Sequence, residues 1–161
     1  MVAEGLVMSH IRYGIGVYMS GDVRLGAGDP TSDILHNLQV KQNDALRLVQ
    51  NIKRSDQIRR ESLLRENKTK SVNHMAAEAA LMELWRANRF HVDTITSNFD
   101  KDRSTRRQNV LRSSRDPRSF ISKTAKLWNM TSDKFRLFKT NTIQTKAEIR
   151  NLVNNQIPII V

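Results

Sequence analysis

The sequence predicts a mainly α protein, an irregular helical bundle with a flexible basic segment, and three observations carry that prediction. Apolar residues recur at steps of three and four along several stretches. The longest of these is built from Ala, Met, Leu and Glu, which are strong helix formers. Residues 100–118 carry charge without any apolar period, which predicts a flexible segment. At 161 residues the chain suits one domain with a single core. Hydrophobic residues make up 39% and charged residues 27%, so that core should be modest. The expected organisation is a helical core over 1–99, the basic flexible segment over 100–118, and a C-terminal helical region over 119–161 packing on the core.

Taken in order, residues 4–20 are apolar and helix-permissive and are expected to form a helix, although Gly14 and Gly16 weaken it and Tyr13, Val17 and Tyr18 suit a strand equally. Three glycines, two aspartates and a proline within 21–30 predict a connection. Asp29-Pro30 then has the form of a helix start, a capping carboxylate followed by a residue whose missing N–H does no harm. Leu35, Leu38, Gln42, Ala45, Val49 and Ile52 recur at helical steps, with only Gln42 breaking the apolar stripe; Gln42 and Asn43 are expected to hydrogen-bond at its edge. A short helix is expected over 56–66, its apolar side supplied by Ile58, Leu63 and Leu64, and Lys68-Thr69-Lys70 ends it. The strongest helix signal covers 72–89, where Val72, Met75, Ala79 and Met82 form one stripe and Leu81, Leu84, Trp85 and Asn88 lie beside it. A face that wide implies burial. Two further helices are expected over 120–128 and 142–153, the second with Ile143, Ala147, Ile149, Leu152 and Val153. The ending Ile157-Pro158-Ile159-Ile160-Val161 is apolar and is expected to dock.

Several kinds of chemistry find no support. There is no cysteine, which removes disulfides, thiolate metal sites and cysteine nucleophiles together. His10, His36, His74 and His91 share no i, i+4 pair, so no metal site is expected. Glu61 with Glu66 and Glu78 with Glu83 stand five apart on helices and point to different faces. Gly14-Ile15-Gly16 lacks the third glycine of a dinucleotide loop, and Gly26-Ala27-Gly28 is followed by Asp29, which would repel phosphate. No cofactor and no catalytic residue is therefore expected, and the chain reads as a non-enzyme. No apolar run reaches membrane-spanning length, and Glu4 stands where a signal peptide would carry a positive charge. The expectation is a soluble intracellular protein without a membrane partner, in nucleus or cytoplasm.

The informative feature is charge. The net charge is +11, and it is unevenly placed: −1 over residues 1–50, +2 over 51–100 and +10 over 101–161. Such a gradient recruits polyanions by counterion release; a solvated basic face is the plain alternative. Within it Lys101, Arg103, Arg106, Arg107, Arg112, Arg115, Arg118, Lys123 and Lys126 are opposed only by Asp102 and Asp116. Arginine dominates, and its planar fork suits bidentate phosphate contacts and stacking on bases. Ser104, Thr105, Gln108, Ser113 and Ser114 add neutral donors. The expected nucleic-acid-binding residues are Arg103, Arg106, Arg107, Arg112, Arg115, Arg118, Lys123 and Lys126, with RNA or DNA backbone as partner. Phe120 and Trp128 flank the cluster and could stack bases, but their helical spacing with Ile121, Ala125 and Leu127 favours core packing.

Three stretches carry a resemblance. Ser9 and Tyr13-Gly14 precede Leu38-Gln39-Val40-Lys41-Gln42-Asn43-Asp44-Ala45-Leu46-Arg47, which resembles the LQ-x-x-QN-x-A-L-R helix found downstream of the polymerase core in non-LTR (LINE-type) retrotransposon reverse transcriptases. The stretch 120–129, ending in Trp128-Asn129, is similar to that family's C-terminal F…WN stretch, and Phe138-Lys139 and Ile157-Pro158-Ile159 follow in keeping. The family's Leu-Pro after WN reads Met130-Thr131 here. The resemblance implies a thumb-proximal or post-thumb helical region that grips template or primer, with the upstream polymerase core as a possible protein partner. The family's aromatic followed by paired aspartates is absent, as is its cysteine-histidine knuckle, so the two-metal chemistry would lie upstream. The implied function is a nucleic-acid-binding fragment or remnant of a reverse transcriptase, catalytically incompetent alone. The alternative is a helical interaction or scaffold protein whose charge is incidental.

Overall fold

A computed structural model of the chain describes residues 33–90, 99–100, 110–112, 120–136 and 141–156, together with Ser9. Over these residues the protein is mainly α, as the periodicity predicts. The helices are α1 (Asp33–Val49), α2 (Arg60–Glu66), α3 (Val72–Arg89), α4 (Phe120–Asn129), α5 (Asp133–Arg136) and α6 (Thr142–Gln156). Two-residue strands β1 (Phe99–Asp100) and β2 (Val110–Leu111) pair antiparallel, with Phe99 opposite Leu111 and Asp100 opposite Val110. The expected helix over 4–20, the connection over 21–30 with its Asp29-Pro30 start, and the apolar ending fall outside the described residues, Ser9 excepted.

Helix α3 is the centre, touching α1, α4 and α6. Its sequence explains why: Ala76, Ala77 and Ala80 are buried on it together with Leu81, Leu84 and Trp85, and alanine lets neighbouring helices approach closely on several sides at once. The helix occupies the span its composition predicts. Ser71 starts it, with Oγ accepting the N–H of His74 at 3.3 Å, an N-cap that satisfies one of the orphan donors of the first turn. Around α3 the core gathers Leu35 from α1, Ala125, Leu127 and Trp128 from α4, Phe135 from α5, and Ile149 and Val153 from α6. The Trp128 and Phe135 rings meet edge to face, with centroids 5.5 Å apart, a geometry favoured by the ring quadrupoles.

Helix α1 is turned relative to the expected stripe. Its buried residues are Leu35, Gln39, Gln42 and Leu46, while Leu38 and Ala45 are half-buried and Val49 is exposed. Gln42 therefore belongs to the buried face instead of interrupting an apolar one. The reason lies at the head of α3. Gln42 Nε2 donates to the carbonyl of Lys70 at 2.7 Å, and Gln39 Oε1 accepts the N–H of Val72 at 2.9 Å. The two side chains are joined by Gln39 Nε2 donating to Gln42 Oε1 at 2.9 Å and to Asn43 Oδ1 at 3.0 Å. Buried amides cost little when so completely engaged.

Both α1 and α2 end in the same way. After α1, the N–H of Ile52 bonds to the carbonyl of Arg47 and that of Asn51 to Leu48. After α2, the N–H of Thr69 bonds to Leu64 and that of Lys68 to Arg65. This is the Schellman closure, which needs a left-handed residue; Asn51 (φ 55°) and Lys68 (φ 50°) supply it. The start of α2 differs from expectation, falling at Arg60 and not at residue 56. Asp56 spends its carboxylate on the N–H of Lys53, at 3.1 Å, closing a turn in place of capping a helix.

Candidate nucleic-acid interface

Among the described residues of the basic stretch, Leu111 joins it to the core. Leu111, within the 100–118 stretch expected to be a flexible basic segment, is buried and belongs to the core cluster. A two-residue strand leaves backbone groups to be satisfied, and a side chain does it: Leu111 N–H donates to Asn129 Oδ1 at 2.9 Å, and Asn129 Nδ2 donates to the Leu111 carbonyl at 3.0 Å. Asn129 thus acts as a third strand one residue long, at the last position of α4. The chain leaves the strand pair at Asp100 and returns to it at Val110. The sequence carrying Lys101, Arg103, Arg106 and Arg107 is therefore anchored at both ends by a pair whose second strand packs on α4.

Of the expected binding residues, Arg112 follows β2 directly and is exposed. Arg103, Arg106, Arg107, Arg115 and Arg118 lie outside the described residues. Lys123 and Lys126 lie on α4, whose buried residues are Thr124, Ala125, Leu127 and Trp128. Trp128 is fully buried, so it packs in the core and is not offered to bases. A second basic group lies at the α1–α2 connection, where Lys53, Arg54 and Arg59 are exposed and Arg60 is half-buried. Arg54 stands 3.7 Å from Asp44 and Arg60 3.6 Å from Glu61, surface pairs of little energetic weight.

Other arrangements in the structure offer less chemistry. Ser71 Oγ lies 2.7 Å from His74 Nδ1, the beginning of a nucleophile–base pair, but the same oxygen is engaged by the His74 N–H and His74 is buried. An open groove of about 290 Å3 between α3 and α6 is lined by Met75, Glu78, Ala79, Met82, Lys146, Ile149 and Arg150. Its one acid, Glu78, is held in an ion pair by Lys70. Among the described residues no group of three His, Asp or Glu side chains is placed to hold a metal ion, and no helix is long and apolar enough to cross a membrane. No protein-family model, curated protein or solved structure matches the chain.

Three arginines have roles that composition does not separate from phosphate binding. Arg136, only 3% exposed, donates through Nη1 to the carbonyls of Asn129, at 3.2 Å, and Thr131. It thereby satisfies carbonyls at the end of α4, where the helix dipole also favours a cation. Arg47 donates through Nη1 to the carbonyls of Lys53 and Asp56, both at 3.0 Å, and through Nη2 to that of Ile58 at 3.2 Å. It organises the α1–α2 connection. Arg89 lies over the ring of Trp85, 4.9 Å from its centroid. A spacing signal existed for the last of these, since residues 85 and 89 are an i, i+4 pair on one helix.

Proposed function

We propose that the chain holds single-stranded or duplex nucleic acid through its phosphate backbone, without catalytic activity of its own, in the manner implied by its resemblance to the post-thumb region of non-LTR retrotransposon reverse transcriptases. The observation that carries this reading is the charge: fourteen Lys and Arg against four Asp and Glu over residues 101–161. That imbalance gives a polyanion a strong electrostatic reason to bind. The attachment of Leu111 to Asn129 supports it, because it gives a basic, core-poor stretch a fixed base from which to follow a backbone. The residues of the resemblance also have physical work on this reading. Gln39, Gln42 and Arg47 hold the α1–α2–α3 unit together, and Asn129 holds β2.

The test is the salt dependence of binding. Removal of one phosphate-binding side chain should lower the log–log salt slope by about 0.7 on a single strand or about 0.9 on duplex DNA. Changing Arg103, Arg106, Arg107, Arg112 and Arg115 together to Gln should flatten that slope while leaving helical content nearly intact. Unchanged affinity and slope would move the site to Lys53, Arg54, Arg59 and Arg60. The second reading, a helical interaction protein, is favoured by the methionine-lined groove between α3 and α6, since methionine surfaces adapt to varied partners. Failure of the parent protein to bind RNA, DNA or a polyanion control at low salt would favour that reading.

A further inference from the structure

The last turn of α3 and its C-cap residue, Phe90, leave aromatic and cationic side chains at the surface beside a core tryptophan. Trp85 and Arg89 form one i, i+4 pair and Arg86 and Phe90 the next, on adjacent rows of the helix surface. In the first pair the aromatic is inside: Trp85 is buried and Arg89, exposed, lies over it. In the second the aromatic is outside: Phe90 is 72% exposed. Phe90 is nevertheless held to the helix, its N–H donating to the Arg86 carbonyl at 2.9 Å. Arg86 is exposed and pairs with Glu83, at 3.1 Å, in a surface ion pair of the kind that a competing anion displaces readily.

We propose that Arg86, Arg89 and Phe90 form a stacking site for an unpaired nucleobase of a single strand, an inference that rests on the nucleic-acid reading above and places a base contact within it. The Arg89 guanidinium carbon lies 4.9 Å from the centroid of the buried Trp85 ring, so the cation is held beside an aromatic while the residue stays exposed. A π-faced ligand there meets a guanidinium already restrained by its contact with the tryptophan, which lowers the ordering cost of binding. Phe90 supplies a second flat apolar surface. The three side chains together ask for a ligand with flat faces and an attached negative charge, and Arg86 and Arg89 offset the partial negative charge of the helix end that would otherwise repel a phosphate. A base with its adjoining phosphate has both properties. An acidic peptide would satisfy the arginines and leave Phe90 uncovered.

Full-length protein should be titrated with a short oligothymidylate and with the abasic strand of equal length, under one salt condition. The parent is expected to prefer the strand that carries bases. Stacking on one aromatic is worth about fivefold to about 150-fold in affinity, so Phe90→Ala and Phe90→Leu should weaken binding by that much on oligothymidylate and not at all on the abasic strand. Leucine keeps apolar bulk without a flat face, and Phe90→Tyr, which keeps the face, should bind as the parent does. Arg89→Lys, which keeps the charge and removes the plane, should also weaken binding of the base-bearing strand selectively. Equal affinity of the parent for both strands, or an equal weakening on both, would overturn the stacking site while leaving backbone binding in place. Failure of the parent to bind either strand would overturn the stacking site, and failure to bind RNA, duplex DNA and a polyanion control as well would overturn both readings.

Discussion

Asn129 and the peptide of Leu111 form a closed pair, joined by hydrogen bonds of 3.0 and 2.9 Å across eighteen residues of sequence. The pair satisfies both backbone groups of a residue whose side chain is in the core. Asn129→Ala should therefore cost about 2 kcal/mol or more, since an unsatisfied buried backbone group costs about 1 to 3 kcal/mol. Asn129→Asp should recover little at neutral pH, because a carboxylate accepts the N–H and can donate nothing to the carbonyl. Urea denaturation of the two variants measures this; parental stability in both would show that the pair is dispensable.

The buried face of α1 makes a ranking that distinguishes it from a plain apolar stripe. Leu35→Ala should cost roughly 2 to 5 kcal/mol, as for a fully buried leucine, and the half-buried Leu38 should cost clearly less. Gln42→Ala should behave as a core substitution and cost about 1 to 3 kcal/mol, because it strands the Lys70 carbonyl and one amide hydrogen of Gln39. A greater cost at Leu38 than at Leu35, read from chemical denaturation, would return the helix to the orientation its apolar residues alone imply.

Lys68→Gly should stabilise the protein. A side chain in the left-handed region costs about 1 to 2 kcal/mol, and glycine returns roughly half of that as chain entropy in the unfolded state. The expected gain is thus about 0.5 to 1 kcal/mol, with a smaller one for Asn51→Gly because asparagine tolerates that region. A fall in thermal midpoint for Lys68→Gly would argue that the lysine side chain makes a compensating contact.

These cases show how much is legible in the sequence. The span of α3 follows from local preference and a serine cap, both written in neighbouring residues. The start of α2 does not, because Asp56 offers a carboxylate to whichever amide is nearest, and a turn closed on Lys53 competes with a helix cap on equal chemical terms. Polarity alone places Gln42 at the edge of its helix unless a partner is known, and the partners of Gln42 and Gln39 lie about thirty residues on, at Lys70 and Val72. A signal for their burial exists, since Leu35, Gln39, Gln42 and Leu46 keep helical register with one another. Leu111 and Phe135 are harder still, because strands of two residues and helices of four have no period to read. In the candidate interface the abundance of arginine is legible, but its division between structure and solvent is not.

That division yields a further prediction. Arg136→Met should destabilise the protein, by about 2 to 4 kcal/mol for two stranded carbonyls, yet leave the salt slope of nucleic-acid binding unchanged in the fraction that stays folded. The five-arginine variant should do the opposite. Stability by calorimetry and slope by anisotropy, measured on both proteins, separate the two roles; a reduced slope for Arg136→Met would mean that its guanidinium reaches solvent and phosphate.

Because α3 is shared by partners at very different distances along the chain, the order of assembly is constrained. The glutamine bonds from α1 to the head of α3, and the arginine bonds that fold the connection between α1 and α2, join residues close in sequence, whereas the groove brings together α3 and α6, about seventy residues apart. Loop closure favours the nearer contacts, so the α1–α2–α3 unit should be formed in the folding transition state and α6 should dock afterwards. Substitutions at Leu35 and Gln42 would then slow folding, while those at Ile149 and Val153 would chiefly speed unfolding. As this chain emerges from a ribosome, the α1–α2–α3 unit would stand ready while the basic third is still being made.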